Sequence, residues 1–187
     1  FLNKTNTVNC REITGYKLNT FLGMVGYIIK TLSKGMMNSP CFNLAEEWAP
    51  DAINSASKGL DQPHIHLTCQ PVSCASLVAQ KMGASDDEAV MVAGFAGGLG
   101  LSGNACGALA AAIWLKTLHW CKSNHGKSPS IFRNRIGREL LKKFKSLTND
   151  KMNCKNITGL SFNSVNEHAE FVHNGGCERI IKELGDS

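Results

Sequence analysis

Eight cysteines are the residues of this chain best able to do chemistry: Cys10, Cys41, Cys69, Cys74, Cys106, Cys121, Cys154 and Cys177. Among 187 residues they are too sparse for a small scaffold built from disulfides, and too numerous to pass as ordinary buried thiols. The thiolate is the form that attacks disulfides and binds metal, so what matters is where the local fold would favour the anion. Three of the eight stand where helices are expected to begin. Cys74 follows Ser73, an N-cap residue type; Cys106 opens an alanine-rich run; Cys177 follows Gly175-Gly176 and heads the last amphipathic stretch. Free N–H groups and aligned peptide dipoles at such positions favour negative charge and are expected to lower a thiol's pKa. Cys154 is expected in a loop that reaches the same place. Four thiolates presented this way would hold a cluster or metal ion, or work as two reactive dithiols. Two plainer readings stand beside these: four buried structural cysteines, or two structural disulfides in any of three pairings.

The elements that must position these residues read as helices. Ser39-Pro40 opens a helix through Leu44, Ala45, Trp48, Ala52, Ile53 and Ala56, with Pro50 as an expected kink. Pro63 to Pro71 is a connector. A short helix runs from the Ser73 cap through Leu77, Val78 and Met82 and ends at Gly83. Ser85 and Glu88 form a capping box ahead of Ala89, Val92, Ala93 and Ala96. Cys106 to Cys121 reads as a buried helix closed by the polar stretch Lys122 to Ser130. From about Ser130 to Leu147, Phe132, Ile136, Leu140 and Phe144 recur every four residues, opposite Arg133, Arg135, Arg138, Lys142, Lys143 and Lys145. A final helix begins near Cys177 and carries Ile180, Ile181 and Leu184. No segment alternates as a half-buried strand would. The expected fold is all-α, a compact helical bundle whose cysteines converge from helix N-termini.

Composition removes several function classes. Apolar residues make up 43% and charged residues 19%, as in ordinary globular proteins. The longest apolar stretch, Ala105 to Leu118, is too short for a bilayer span of about 20 residues, so no transmembrane segment is expected. The chain opens Phe1-Leu2-Asn3-Lys4, with no signal peptide in view, and its prokaryotic-type sequence fits a cytoplasmic or an exported protein equally. Net charge is +5, much of it on the basic helix, where a solvated face explains it better than nucleic acid does. The run Gly94-Phe95-Ala96-Gly97-Gly98-Leu99-Gly100-Leu101-Ser102-Gly103 lacks the Gly-Lys-Ser/Thr ending of a phosphate loop and follows a helix, not a strand. Its expected role is close backbone packing around Cys106. His64 and His66 lie beside Cys69 and form a loose trio that reads as incidental; His119 is expected to pack in the core. No serine–histidine–acid set or carboxylate pair supports a hydrolase.

An internal echo organises the chain. Asn9-Cys10-Arg11-Glu12-Ile13-Thr14-Gly15 and Asn153-Cys154-Lys155-Asn156-Ile157-Thr158-Gly159 agree at five of seven positions. Each copy is followed by a second cysteine heading a helix, Cys41 in one case and Cys177 in the other. A duplication is expected. Residues 1–60 would be a partial repeat, the back half of a unit, and residues 69–187 a complete four-cysteine unit.

The order of these motifs resembles a known family. Ser73-Cys74-Ala75, the glycine run, Cys106-Gly107-Ala108, Cys154-x-x-Ile157-Thr158-Gly159 and Cys177 follow one another as in the redox-active family named for its pattern Cys … Gly-Cys-Ala-x-x-Gly … Cys … Cys. The likeness spans roughly Val72 to Leu184. Ala105 and Gly107 flank Cys106 where the pattern has Gly and Ala, and an alanine stands in for its last glycine. Related cysteine domains occur in cytochromes of the split-Soret type. The resemblance implies a redox-active protein transferring electrons through an iron–sulfur cluster, [2Fe–2S] being favoured, on Cys74, Cys106, Cys154 and Cys177, with Cys10 and Cys41 as weaker metal-ligand candidates. A zinc site is less favoured, because its cysteines usually arrive in close pairs. No Cys-x-x-Cys-His is present, so no covalent haem is expected. The expected partners are a redox protein and, as one arrangement, a second copy in a homodimer. A thiol–disulfide oxidoreductase using paired thiolates and a non-catalytic binding module with structural cysteines are the alternatives.

Overall fold

The structure is a computed structural model, and it describes residues 2–7, 9–18, 20–35, 38–60, 72–127, 129 and 135–187. Among these residues the regular elements are helices, and the fold is all-α. The chain divides into two compact units, Phe1–Leu67 and Thr68–Ser187.

The first unit carries α1 (Leu2–Thr5), α2 (Cys10–Thr14), α3 (Phe21–Lys34) and α4 (Pro40–Leu60). The α3 helix starts where the Thr20 side chain accepts the Gly23 N–H at 3.2 Å, and stops at Gly35, whose positive φ no longer extends a helix. The α4 helix starts at the expected Ser39-Pro40 and runs through Pro50 to Leu60. Among the described side chains of this unit, the buried ones are Thr14 and Ser39, and none is apolar.

The second unit contains α5 (Cys74–Lys81), α6 (Asp86–Met91), α7 (Gly107–Ser123), α8 (Arg135–Thr148), α9 (Cys154–Thr158), α10 (Val165–His173) and α11 (Glu178–Gly185). Helix α5 forms because Ser73 caps it: the hydroxyl accepts the Ser76 N–H at 3.0 Å. The Ser76 hydroxyl in turn donates to the Ala89 carbonyl at 3.0 Å and ties α5 to α6. Both halves of the capping box are present, Ser85 N–H to the Glu88 carboxylate at 2.9 Å and Glu88 N–H to the Ser85 hydroxyl at 3.3 Å. The α6 helix is shorter than its apolar residues led one to expect. It ends at Met91, and Ala93–Phe95 tighten into a single 3₁₀ turn ahead of the glycine run.

Core packing follows four-residue spacing on each helix. One face of α5 places Cys74 and Val78 against Ala108, Leu109 and Ala112 of α7, Leu140 and Phe144 of α8, Val172 of α10, and Ile180 and Leu184 of α11. Its other face packs Ala75 and Ala79 against Val92, Ala111 and Leu115. Alanine at these positions lets α5 and α7 approach closely while favouring the helix. The basic helix behaves as a solvated face over a core stripe: Leu140, Phe144 and Thr148 are buried, whereas Arg135, Arg138, Lys142 and Lys145 are exposed. Lys143 turns inward and donates to the Glu183 carbonyl and to the Ser187 hydroxyl, joining α8 to α11. Residues 130–134, the expected start of this helix, lie outside the described residues.

Gly107 opens α7 with no room for a side chain, because an added Cβ would overlap the Phe95 carbonyl. Gly107→Ala is expected to cost about 3 kcal/mol, the upper end for overpacking a filled core, read from urea unfolding of the full chain. The Glu88 carboxylate accepts from Lys122 at 2.6 Å and from the Ser85 N–H, and His119 stands 3.6 Å away. These donors pull its pKa from the ordinary 4.5 to about 2, with Lys122 the largest cause. A lowered carboxylate stabilises the fold above its unfolded pKa and loses that stabilisation as pH falls through the folded one. Melting temperature should therefore fall between pH 5 and 2, and Glu88→Ala should flatten that part of the profile.

Candidate functional site

Four cysteines of the second unit, Cys74, Cys106, Cys154 and Cys177, lie at helix N-termini. Cys74 and Cys154 are the first residues of α5 and α9, and Cys106 and Cys177 are the N-caps of α7 and α11. Cys154 was expected in a loop, and the structure corrects this. Asn153 and Gly159 bound a five-residue helix, with Gly159 at φ 73 closing it through its N–H to the Lys155 carbonyl. A residue able to cap, six residues before a glycine able to take positive φ, was the signal for it.

Backbone pairing assembles the site. The Cys106 N–H donates to the Met152 carbonyl at 3.0 Å, the Cys154 N–H to the Asn104 carbonyl at 2.5 Å, and the Lys155 N–H to the Gly103 carbonyl at 2.9 Å. An isolated antiparallel bridge joins Ala105 to Asn153 within this ladder. It sets Cys106 beside Cys154. The glycine run supplies the space, though beside Cys154 and not the expected Cys106: a Cβ on Gly98 would come within 2.9 Å of the Cys154 Cβ and 2.7 Å of the Asn104 nitrogen. Leu99 and Leu101 share the left-handed backbone of Gly97, Gly98 and Gly100, so the run is a succession of tight turns. Cys177 also has positive φ, 61°, at the head of α11. A left-handed non-glycine residue at a chemically able position is held there by its surroundings, which is how strain accumulates at working sites.

Cys74, Cys106 and Cys154 are buried and Cys177 is half-buried. Each of the six pairings among them is close enough for one thiolate's charge to oppose another's. Burial is the largest influence on each of the four. It pushes Cys74 and Cys177 up to about 12 and Cys154 up to about 11, with the neighbouring cysteines adding to the rise. Cys106 is also raised by burial, although the N–H groups of Leu109 and Ala108 favour its anion. The Gly97 N–H does the same for Cys74. The expectation that helix ends would lower these pKa values is therefore overturned. The donors act in the expected direction, but desolvation of a buried anion exceeds them. Among the described residues, no three cysteine, histidine or carboxylate side chains are gathered closely enough to hold a single metal ion.

The other candidates are not part of this group. Cys10 and Cys41 belong to the first unit and are exposed. Cys121 is half-buried near the far end of α7, about 20 Å along the axis from Cys106 at 1.5 Å per residue. His64, His66 and Cys69 lie outside the described residues. His119 is not a core residue; its side chain is 45% exposed beside Glu88. His168 is the buried histidine, and no periodicity singled it out. It packs edge-on against Phe162 at 5.0 Å, its Nδ1 is buried without a hydrogen-bond partner among the described residues, and burial lowers its pKa.

No helix among the described residues is long and apolar enough to cross a membrane. A family model described as "Putative redox-active protein (C_GCAxxG_C_C)" matches residues 68–186. No curated protein and no solved structure matches the chain.

Thiols with raised pKa values alkylate slowly near neutral pH. With metal removed, iodoacetamide at pH 7.5 should modify exposed Cys10 and Cys41 at least about ten times faster than Cys74, Cys154 or Cys177, as read by mass spectrometry of timed digests. A thiol raised on folding stabilises the fold below its unfolded pKa and loses that contribution as pH rises through the folded one. The metal-free protein should therefore lose stability between pH 9 and 12, and Cys74→Ala should reduce that slope.

Proposed function

The chain belongs to the redox-active protein family named for its C_GCAxxG_C_C cysteine pattern, and from that premise we propose that Cys74, Cys106, Cys154 and Cys177 together hold an iron–sulfur cluster through which single electrons pass. One observation carries the reading: four mostly buried thiols near enough to one another for each one's anion to oppose the others. Such a group is costly for the fold once its thiols ionise, and a bound cation would take the place of the protons and offset that cost. Thiol coordination to a metal removes the proton outright and inverts the local pKa logic.

Magnitude separates this from the dithiol alternative. A thiol of pKa about 12 is ionised to roughly one part in 10⁵ at neutral pH, and a nucleophile must be a thiolate to attack. Reactive dithiols in disulfide exchange need pKa values near the ambient pH. When bound, a cluster of this class supplies a one-electron couple. The protein's own residues would set its character. The Gly97, Ala108 and Leu109 N–H groups face two of the sulfurs and would raise the potential by stabilising added negative charge, while burial would lower it. The packed α5–α7–α11 shell encloses Cys74 and Cys106 and would keep water from their sulfurs.

Protein purified without oxygen should carry about two to four irons per chain with matching acid-labile sulfide, and visible absorbance that bleaches on reduction. Cys106→Ser should lose more than about nine-tenths of that iron while the far-ultraviolet circular dichroism stays helical. Protein still colourless after anaerobic reconstitution with ferrous iron and sulfide would overturn the cluster; reversible pairwise oxidation of its thiols would then favour the dithiol enzyme.

A further inference from the structure

The four thiols of the candidate site are not alike, and the difference lies at Cys177. Cys74, Cys106 and Cys154 are buried, whereas Cys177 is half-buried and its chain neighbours Asn174, Gly175, Glu178 and Arg179 are exposed. Each buried thiol has a donor that favours its anion: the Gly97 N–H at Cys74, the Leu109 and Ala108 N–H groups at Cys106, and the Thr158 hydroxyl at Cys154. Among the described residues no such donor faces Cys177, which feels only burial and the neighbouring cysteines. Groups that hydrogen-bond a metal ligand help to hold it in place, so Cys177 is the least supported of the four.

The backbone sets Cys177 apart as well. Thr20, Ser73, Ser85, Cys106, Asn153 and Ser164 all cap their helices from extended backbone, the ordinary conformation for that position. Cys177 caps α11 at φ 61° and ψ 11°, in the left-handed region, and its side chain makes no cap hydrogen bond. The cause is the joint it occupies. Helix α10 closes in a Schellman motif, with the Gly175 N–H returning to the Val172 carbonyl at 3.1 Å and the Gly176 N–H to the Phe171 carbonyl at 2.9 Å. Gly176 has no room for a side chain, since an added Cβ would lie 2.5 Å from the Phe171 carbonyl oxygen. One residue is left to turn the chain into α11, whose Ile180 and Leu184 are fixed in the core. Cys177 makes that turn in a conformation that a Cβ disfavours.

We propose that Cys74, Cys106 and Cys154 are the fixed ligands of the site, and that Cys177 fills a replaceable fourth position open to a small external thiolate. This rests on the cluster reading above and deepens it. Exchange changes no oxidation state: the bond to the Cys177 sulfur breaks, one to the incoming sulfur forms, and the proton of the incoming thiol passes to Cys177. Freeing any of the other three would leave its donor facing an uncharged buried thiol. Freeing Cys177 strands no donor, and its place at the edge of the group gives an incoming thiol a way in.

The test reconstitutes wild-type protein and the variants Cys74→Ala, Cys106→Ala, Cys154→Ala and Cys177→Ala without oxygen, using ferrous iron, sulfide and 2-mercaptoethanol, and counts iron after desalting into the same thiol. Cys177→Ala should keep at least about half of the wild-type iron, and each of the other three less than about one-tenth. The visible spectrum of loaded Cys177→Ala should shift when imidazole replaces the thiol, because the fourth ligand is then a nitrogen. Iron loss as complete as in Cys106→Ala, equal retention by all four variants, or an unshifted spectrum overturns the proposal and leaves the cluster reading standing. Wild-type protein that takes up no iron overturns that reading and the proposal with it. Without metal, Cys177→Gly should melt about 3 °C above Cys177→Ala, because glycine takes this backbone freely. An equal or lower melting temperature means no strain at the joint and overturns the choice of Cys177.

Discussion

Cys106 and Cys154 are 48 residues apart in the chain, and three backbone hydrogen bonds between residues 103–106 and 152–155 hold them together. Much of the second unit serves this one short ladder. The glycine run must curl tightly enough to bring Gly103 and Asn104 to α9, and the α7 helix must begin at Gly107 against the Phe95 carbonyl with no side chain between them. The family pattern has alanine at the Gly107 position, and in this chain there is no room for one. The α8 stripe of Leu140, Phe144 and Thr148 then returns the chain to the entrance of α9, so that the basic helix is the arm that delivers Cys154. Its charges face water because its apolar residues have that work to do.

Around this ladder two electrostatic effects compete. Helix ends and loop N–H groups favour thiolate at Cys74 and Cys106, whereas burial and the proximity of four like groups disfavour it. Burial prevails, because removing water from an anion costs more than one or two partial charges return. The outcome is four thiols whose ionisation burial disfavours and a nearby cation would favour. That is the physical basis for a cofactor-binding reading of this redox-active family member, and it separates the site from low-pKa thiols that attack disulfides.

The two units show the same local rules with different surroundings. Cap, five-residue helix, left-handed glycine and threonine back-bond are encoded within a few residues, so they recur wherever the motif does. Burial of the neighbouring cysteine is not local. It follows from α5 and α7 in the second unit, whereas in the first unit no described apolar side chain is buried and Cys10 and Cys41 are exposed.

The sequence by itself determined what depends on near neighbours. Helix content, the Ser73 cap, the Ser85–Glu88 box and the amphipathic basic helix were all legible, because caps, glycines and four-residue periodicity act over one or two turns. The short helix at Cys154 was missed, although Asn153 and Gly159 bound it. Tertiary structure alone decided the ladder between residues 103–106 and 152–155, the burial of His168 rather than His119, and the sign of the thiol shifts. Each of these depends on which distant segment excludes water from a side chain. A thiol at a helix end reads as an activated nucleophile until the packing above it is known, because desolvation is a property of the assembled fold and not of the residue's neighbours in the chain.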